Sequence, residues 1–543
     1  MNKFFKYISL SLLVLVGISC GDQLRYDERE TSFNVNYFTY SRYQLTTAIK
    51  DVAQKYGSAI KESRKGQCNL YFMVCYSGDQ VSSFYTKTDQ NWDFEGSNPY
   101  TSQFRTFNAI NKLATTEGNL ANVAASDILR CVVGAYMTEK YGDVPFSDAS
   151  EGREGNLFPK FDTQKEIYEQ MFVLLDKAVA TLSDANSKGL PVDHDILFKG
   201  DKALWIKFAN SLKFRLMVHS YAAFKKAGVD LAPKMQEIAA GGKFMQTNAD
   251  NASIVFPGAQ SDGGDGWYLQ TKYGTGNEFF EQKPTKYLID QLVAVDDPRL
   301  YVLFAPALTP MSANTESSKE TIKINGYSYA ITHDPAKNYS TSDQLATGRS
   351  LNGDIINVPY VLDALWFGTP NPLSVELQYK GSGLPESHGF YDNRRISGLS
   401  TLIAQLTDDR LRAVLMESSE MMFLLAEARK QGWISTGTVK EYYETGIRRS
   451  FERWKILDGI KPSTNIGSTQ ITDNFNEYFA KVTLDGSAND LDKIYLQKWL
   501  SCLLTNPTEA YTEIRRTGKP SFVVKIAPSF STYSYPYRYI YPL

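Results

Sequence analysis

Apolar positions recur at three- and four-residue steps through most of this chain, then lose that rhythm over one long central stretch. In residues 36–60, Leu45, Ala48, Ile49 and Val52 share one face, which predicts a helix. Two more helices are predicted at about 101–117 and 121–141, parted by Gly118-Asn119. Residues 163–183 place Ile167, Met171, Leu174, Leu175 and Ala178 on an inward face. Residues 202–223 are a mostly apolar partner, and His219 on it reads as a core or capping residue rather than a ligand. The period returns at 415–432 and 438–454.

The last pair, 491–520, is the most fully punctuated. Leu491, Tyr495 and Trp499, with Leu496, Leu500 and Leu503, form one broad apolar face. Asn506 suits an N-cap, Pro507 a first helical position, and Glu509 the acid of a capping box. Arg515 and Arg516 fall in the last turn, where cations suit the helix dipole. Gly518 supplies the stop and Pro520 forbids continuation. The result is four helical hairpins, 101–141, 163–223, 415–454 and 491–517. Tetratricopeptide units are hairpins of about this size, although long insertions separate them here.

Between 243 and 410 the helical period mostly fails, and Gly, Pro, Asn and aromatic residues dominate. Short strands, loops and one helix near 284–294 are expected there. This divides the chain into helical scaffold over 20–242 and 411–543 and a loop-rich inserted lobe over 243–410. Residues 68–76 read as a buried run of undetermined type. The polar stretch 77–100 after it holds Phe84, Tyr85, Trp92 and Phe94 among acids and amides. Long loops in compact domains are commonly functional.

Those rings are the candidate ligand platform. Trp92 has Asn91 and Asp93 beside it; Trp267 has Tyr268, Gln270 and Tyr273 close by; Trp366 lies further along. A sugar ring has an apolar C–H face rimmed by hydroxyls, which an aromatic side chain covers while acids and amides bond the rim. Gly263, Gly264 and Gly266 let backbone come close to such a ligand. Two readings stay open: the rings face a ligand, or Trp267 and Trp366 plug the small core of the inserted lobe. Asp262 and Asp265 lack calcium-loop spacing and read as a solvated turn.

The N-terminus changes the picture. Lys3 and Lys6 precede the short apolar run 8–18, which ends at Gly17-Ile18-Ser19-Cys20. A basic flank and an apolar core too short to span make residues 1–19 a signal peptide. A cysteine directly after it resembles a bacterial lipobox, with Gly17 where Leu is usual, so Cys20 is the expected lipidation site and mature N-terminus. Lipid burial contributes about 0.8 kcal/mol per CH₂. Asp22 points weakly to outward-facing placement.

Charge and chemistry then exclude classes. With Lys+Arg 58 against Asp+Glu 60, the net charge is −2, so no electrostatic case exists for nucleic acid. Cys68, Cys75, Cys131 and Cys502 show no metal-binding spacing; Cys68 and Cys75 either pair or stay free. His194, His219, His333 and His388 stand far apart, with no HExxH, GxSxG or Walker A. No metal, no cofactor and no catalytic residue is assigned.

Several short words are more specific than the period. They are Tyr141-Gly142-Asp143-Val144-Pro145, Trp205-x-x-Phe208-Ala209-Asn210-Ser211-Leu212, Asp297-Pro298-Arg299-Leu300 and Ala426-Glu427-Ala428. Gln497-Lys498-Trp499, Glu509-Ala510-Tyr511, Arg515-Arg516-Thr517-Gly518-Lys519-Pro520 and the ending Arg538-Tyr539-Ile540-Tyr541-Pro542 complete the set. Together they resemble the SusD/RagB family of nutrient-binding outer-membrane lipoproteins of the Bacteroidota, in the SusD-like branch. The resemblance implies a mainly α fold, with tetratricopeptide-like hairpins forming one discontinuous scaffold. It also implies a SusC-like TonB-dependent transporter as partner, a glycan or other polymer fragment as ligand, and a lipid anchor in the outer membrane facing the cell surface. Family members usually run past the equivalent of Leu543, so a last segment is expected to be missing. An exported glycoside hydrolase and a scaffold binding only protein or peptide are the alternatives.

Overall fold

The computed structural model describes residues 40–56, 73–74, 98–152, 155–255, 283–305, 318–324, 327–333, 348–349, 355–356, 398–399, 412–456, 475–521, 538 and 541. Among them are thirteen α-helices. The first five are α1 Ser41–Tyr56, α2 Gln103–Thr116, α3 Leu120–Tyr141, α4 Gln164–Ser183 and α5 Lys202–Lys226. Next come α6 Ala232–Gly241, α7 Lys286–Ala294, α8 Arg299–Leu303 and α9 Ser418–Lys430. The last four are α10 Val439–Arg453, α11 Phe475–Val482, α12 Asp490–Ser501 and α13 Pro507–Thr517. The fold is mainly α, as the periodicity predicts.

Local chemistry starts most of the long helices. Asn119 accepts from Asn122 N at the head of α3, and Asp201 from Ala203 N and Leu204 N at α5. Thr163 with Glu166, and Thr438 with Glu441, close full capping boxes on α4 and α10. Asn506 accepts from Glu509 N at α13, and Gly518 ends that helix in the left-handed region at φ 69°. The expected capping box there does not form. The Glu509 carboxylate turns instead into the protein, where it meets three cationic side chains described below.

A second departure lies at 415–432. The helix begins only at Ser418, because Ala413–Met416 is a strand, all four residues buried. Four consecutive buried apolar residues suit a strand covered on both faces better than one face of a helix. It pairs antiparallel with Ala252–Ile254, and Asn251 beside that strand accepts from Ser418 N at 2.7 Å. The other strands are short antiparallel pairs: Met73–Val74 with Lys283–Pro284, Phe304–Ala305 with Gly398–Leu399, Ser318–Ile324 with Tyr327–His333, and Gly348–Arg349 with Ile355–Ile356.

Packing joins what the sequence separates. α1 lies on α2 and α3, α3 on α4, and α4 on α5. In the C-terminal part α9 packs on α10 and α12. The two parts meet where α9 touches α5 and where α13 touches α3 and α5. A single apolar cluster runs through both, from Leu45 to Ile514. The α9–α10 approach is close enough to need Gly446, since a Cβ there would stand 2.7 Å from the Phe423 ring. α3 is long and apolar enough to cross a membrane, but 89% of its apolar window is buried, so it is a core helix.

Candidate functional site

Where the two parts of the scaffold meet, five helices bring charged side chains into the interior. α5 supplies Arg215 and His219, α3 Glu139, α9 Glu420 and Glu427, α12 Lys498, and α13 Glu509, Glu513 and Arg516. Arg215 forks onto Glu420, Nε to Oε1 at 2.5 Å and Nη2 to Oε2 at 2.6 Å, and reaches Glu509 Oε2 at 3.3 Å. Lys498 Nζ lies 2.6 Å from Glu509 Oε1 and 3.3 Å from Glu513 Oε1. Arg516 spans Glu427 and Glu513, each at 2.7 Å. His219 bridges Glu139 through Nδ1 at 2.8 Å and Glu509 through Nε2 at 3.0 Å.

Burial makes these pairs strongly interdependent, because a charge out of water costs several kcal/mol unless opposed. Burial alone would push His219 down, but the Glu509 and Glu139 carboxylates outweigh it and hold its pKa well above the ordinary value. Burial likewise pulls against Lys498, and Glu509, Glu513 and Glu420 reverse the effect and raise it. Glu509 goes the other way: despite burial, His219, Lys498 and Arg215 hold its carboxyl far below the usual range. Glu513 is depressed for the same kind of reason, with Arg516 and Lys498 overcoming burial.

The arrangement is saturated rather than reactive. His219, Glu509 and Glu513 present ligand atoms within 4.8 Å of one another, the kind of trio that elsewhere holds a metal. Here the Lys498 ammonium and the Arg215 and Arg516 groups already supply the positive charge. A small recess beside the cluster is lined by Tyr136, Glu139, Arg215, Asn506 and Glu509. A second buried network has the same character. Arg299 forks onto Asp297 at 2.6 and 2.9 Å and donates to Gln497 Oε1 at 2.9 Å, while Tyr478 donates to Asp297 at 2.7 Å. On the surface, Lys430 Nζ fills a turn bounded by the Gly486 and Ser487 carbonyls and Asp490.

The sequence-predicted ligand residues Asn91, Trp92, Asp93, Trp267, Tyr268, Gln270, Tyr273 and Trp366 lie outside the described residues, as do Cys20, Cys68, Cys75, Asp262 and Asp265. Cys131 and Cys502 are buried free thiols. What sequence reasoning missed is the charged centre. A signal was present: Arg215 stands in the apolar run Leu212-Lys213-Phe214-Arg215-Leu216, and Lys498 abuts Trp499 on an apolar helix.

The sequence pattern of the family described as "Starch-binding associating with outer membrane" matches residues 34–362 and 373–542. The chain belongs to this SusD-like family. No curated protein matches it. Among solved structures, a SusD homologue from Bacteroides fragilis is similar at 19% identity, with 93% of each chain covered and a TM-score of 0.67. A SusD-like protein of the Bacteroidetes is similar at 23% identity, covering 93% of this chain and 94% of that one, with a TM-score of 0.64. A chitin-binding protein is similar at 20% identity, with coverage of 89% and 88% and a TM-score of 0.61. At these identities the likeness shows the shared fold.

In this SusD-like chain the family words serve the interior. Trp205 is fully buried and donates from Nε1 to Asp195 Oδ2 at 2.8 Å. Asp297 and Arg299 form the second network, and Lys498, Glu509 and Arg516 belong to the charged centre. Tyr541 near the C-terminus stacks on Tyr141 and donates to the Asp143 carbonyl at 2.6 Å, tying the ending to the Tyr141–Pro145 turn.

Proposed function

We propose that this chain is a binding protein tethered to the outer membrane that captures a glycan for import through a TonB-dependent transporter. The family match over nearly the whole sequence carries the proposal. A fold neighbour named as a chitin-binding protein fits a sugar ligand. The buried titratable cluster is committed to its own ion pairs, which favours binding over turnover. In this reading the helical parts 20–242 and 411–543 are the scaffold, and the loop 77–100 with the lobe 243–410 carries the ligand side. Trp92 and Trp267 are the main anchors, with Asn91, Asp93 and Gln270 bonding hydroxyls, and Tyr268, Tyr273 and Trp366 extending the platform.

Calorimetry against a panel of oligosaccharides tests this. Trp92→Ala and Trp267→Ala should each weaken binding by about 1–2 kcal/mol, roughly 5- to 30-fold. Folded variants that bind as tightly as wild type would move the platform elsewhere. Release of products from a labelled glycan would favour a hydrolase, and retention of only a protein partner would favour a scaffold.

The tether and the partner share one test. Membranes solubilised in mild detergent should yield the wild type together with a large β-barrel protein, and Cys20→Ala should leave the membrane fraction. Equal membrane retention of both forms would remove the lipid anchor from the proposal.

A further inference from the structure

The charged centre contains one group whose ordinary pKa lies near neutral pH, and it stands between the two parts of the scaffold. We propose that His219 is held as an imidazolium and acts as a pH-sensitive clasp that fastens the C-terminal hairpin α12–α13 to α3 and α5.

Geometry carries this. His219 Nδ1 faces Glu139 Oε1 at 2.8 Å, and Nε2 faces Glu509 Oε1 at 3.0 Å and Glu513 Oε1 at 3.3 Å. A carboxylate oxygen only accepts, and neutral imidazole donates from one nitrogen alone. With acceptors at both ends, the neutral ring would aim a lone pair at a carboxylate. The side chain is 2% exposed, so water offers little relief.

Every neighbouring element places groups around the carboxylates that face the ring. From α4, Tyr168 donates to Glu139 Oε1 at 3.0 Å; from α13, Thr512 donates to Glu139 Oε2 at 3.1 Å and Arg515 to the Glu139 carbonyl at 2.5 Å. From α12, Lys498 pairs with Glu509 and Glu513. Arg215 on the same helix as His219 pairs with Glu509 and with Glu420 of α9, and Arg516 pairs with Glu513 and with Glu427 of α9. The cations around these carboxylates are Arg215, Lys498 and Arg516, with Arg515 at Glu139, and burial raises the Glu420 carboxyl even beside Arg215.

The sign follows. Histidine in the unfolded chain titrates near about 6.5, and the folded state keeps its proton above that. Below about pH 6.5 both states hold the proton and the clasp contributes fully. Above it the unfolded chain sheds a proton that the fold retains, so stability falls until the folded ring also titrates. Glu509 and Glu513 are depressed, so their contribution is present above about pH 4.3 and is lost only as pH falls through their folded values. The clasp is therefore tight between those limits and loosens on the alkaline side.

The test uses the full chain. The folding equilibrium constant, from urea denaturation, should fall about tenfold per pH unit above pH 6.5, a slope of one proton. That one-proton component should be missing in His219→Gln, while His194→Gln keeps it. Limited proteolysis should cut within residues 490–517 faster as pH rises in the wild type. Nitrogen NMR of the histidine rings at pH 8 gives a measurement that needs no variant: one ring should carry the imidazolium signature on both nitrogens. The same slope in wild type and His219→Gln, or four neutral rings at pH 8, would overturn the proposal.

Discussion

Replacing Arg299 with alanine should cost the fold about 3–5 kcal/mol, as expected when one partner of a buried ion pair is removed. Arg299 and Asp297 both have side chains 0% exposed. The arginine also ties α8 to distant elements, through Gln497 of α12 and Tyr478 of α11. Alanine leaves the Asp297 carboxylate in the interior with the Tyr478 hydroxyl, at 2.7 Å, and the residue-299 amide, at 3.0 Å, as donors. Neither supplies charge. The companion Asp297→Leu/Arg299→Met should recover much of the loss, because it removes the desolvation cost along with the attraction. Urea denaturation followed by circular dichroism measures both. A loss under about 1 kcal/mol for the single variant would mean that the pair is solvated in solution, as exposed pairs of that worth are.

Trp205→Ala should be as damaging, at about 3–5 kcal/mol, the range for truncating a buried large aromatic. The indole is fully buried, with Phe198 edge-on at 5.3 Å and Phe208 at 6.3 Å. Its Nε1–H also completes a local turn. Asp195 accepts from Leu197 N and Phe198 N at 3.1 Å and from Gly200 N at 2.9 Å, with the indole as a further donor. Trp205→Phe keeps a ring and loses the donor, so its cost should fall between wild type and alanine. An alanine variant no less stable than the phenylalanine one would show that the cavity collapses around the site.

The contrast between these residues shows what a sequence makes legible. Trp205 could be placed in the core directly, since an aromatic inside an apolar helical period has one sensible destination. Asp297 and Arg299 stand two residues apart in a recognisable word, yet nothing in it says that Gln497 and Tyr478 complete their cage. Glu509 is the clearest case. Its position three residues after Asn506 reads as a capping acid, and Asn506 does cap the helix by accepting from Glu509 N. The carboxylate was free to choose between the local backbone and the interior, and Lys498, Arg215 and His219 offer charge where the cap offers one neutral amide.

Most of the long helices were legible in the sequence alone, because the period and the capping residues act within a few positions of one another; the short helices Ala232–Gly241, Arg299–Leu303 and Phe475–Val482 were not. The signature words likewise identified the family without any coordinates. Only the tertiary structure decided that Ala413–Met416 is a strand, since its partner lies at 252–254 and buried apolar runs are silent about pairing. It alone decided the fate of the buried charges as well. His219 and Glu509 are 290 residues apart in sequence and 3.0 Å apart in space. Side-chain charge interacts through space, and no local pattern records which helix the fold will bring alongside.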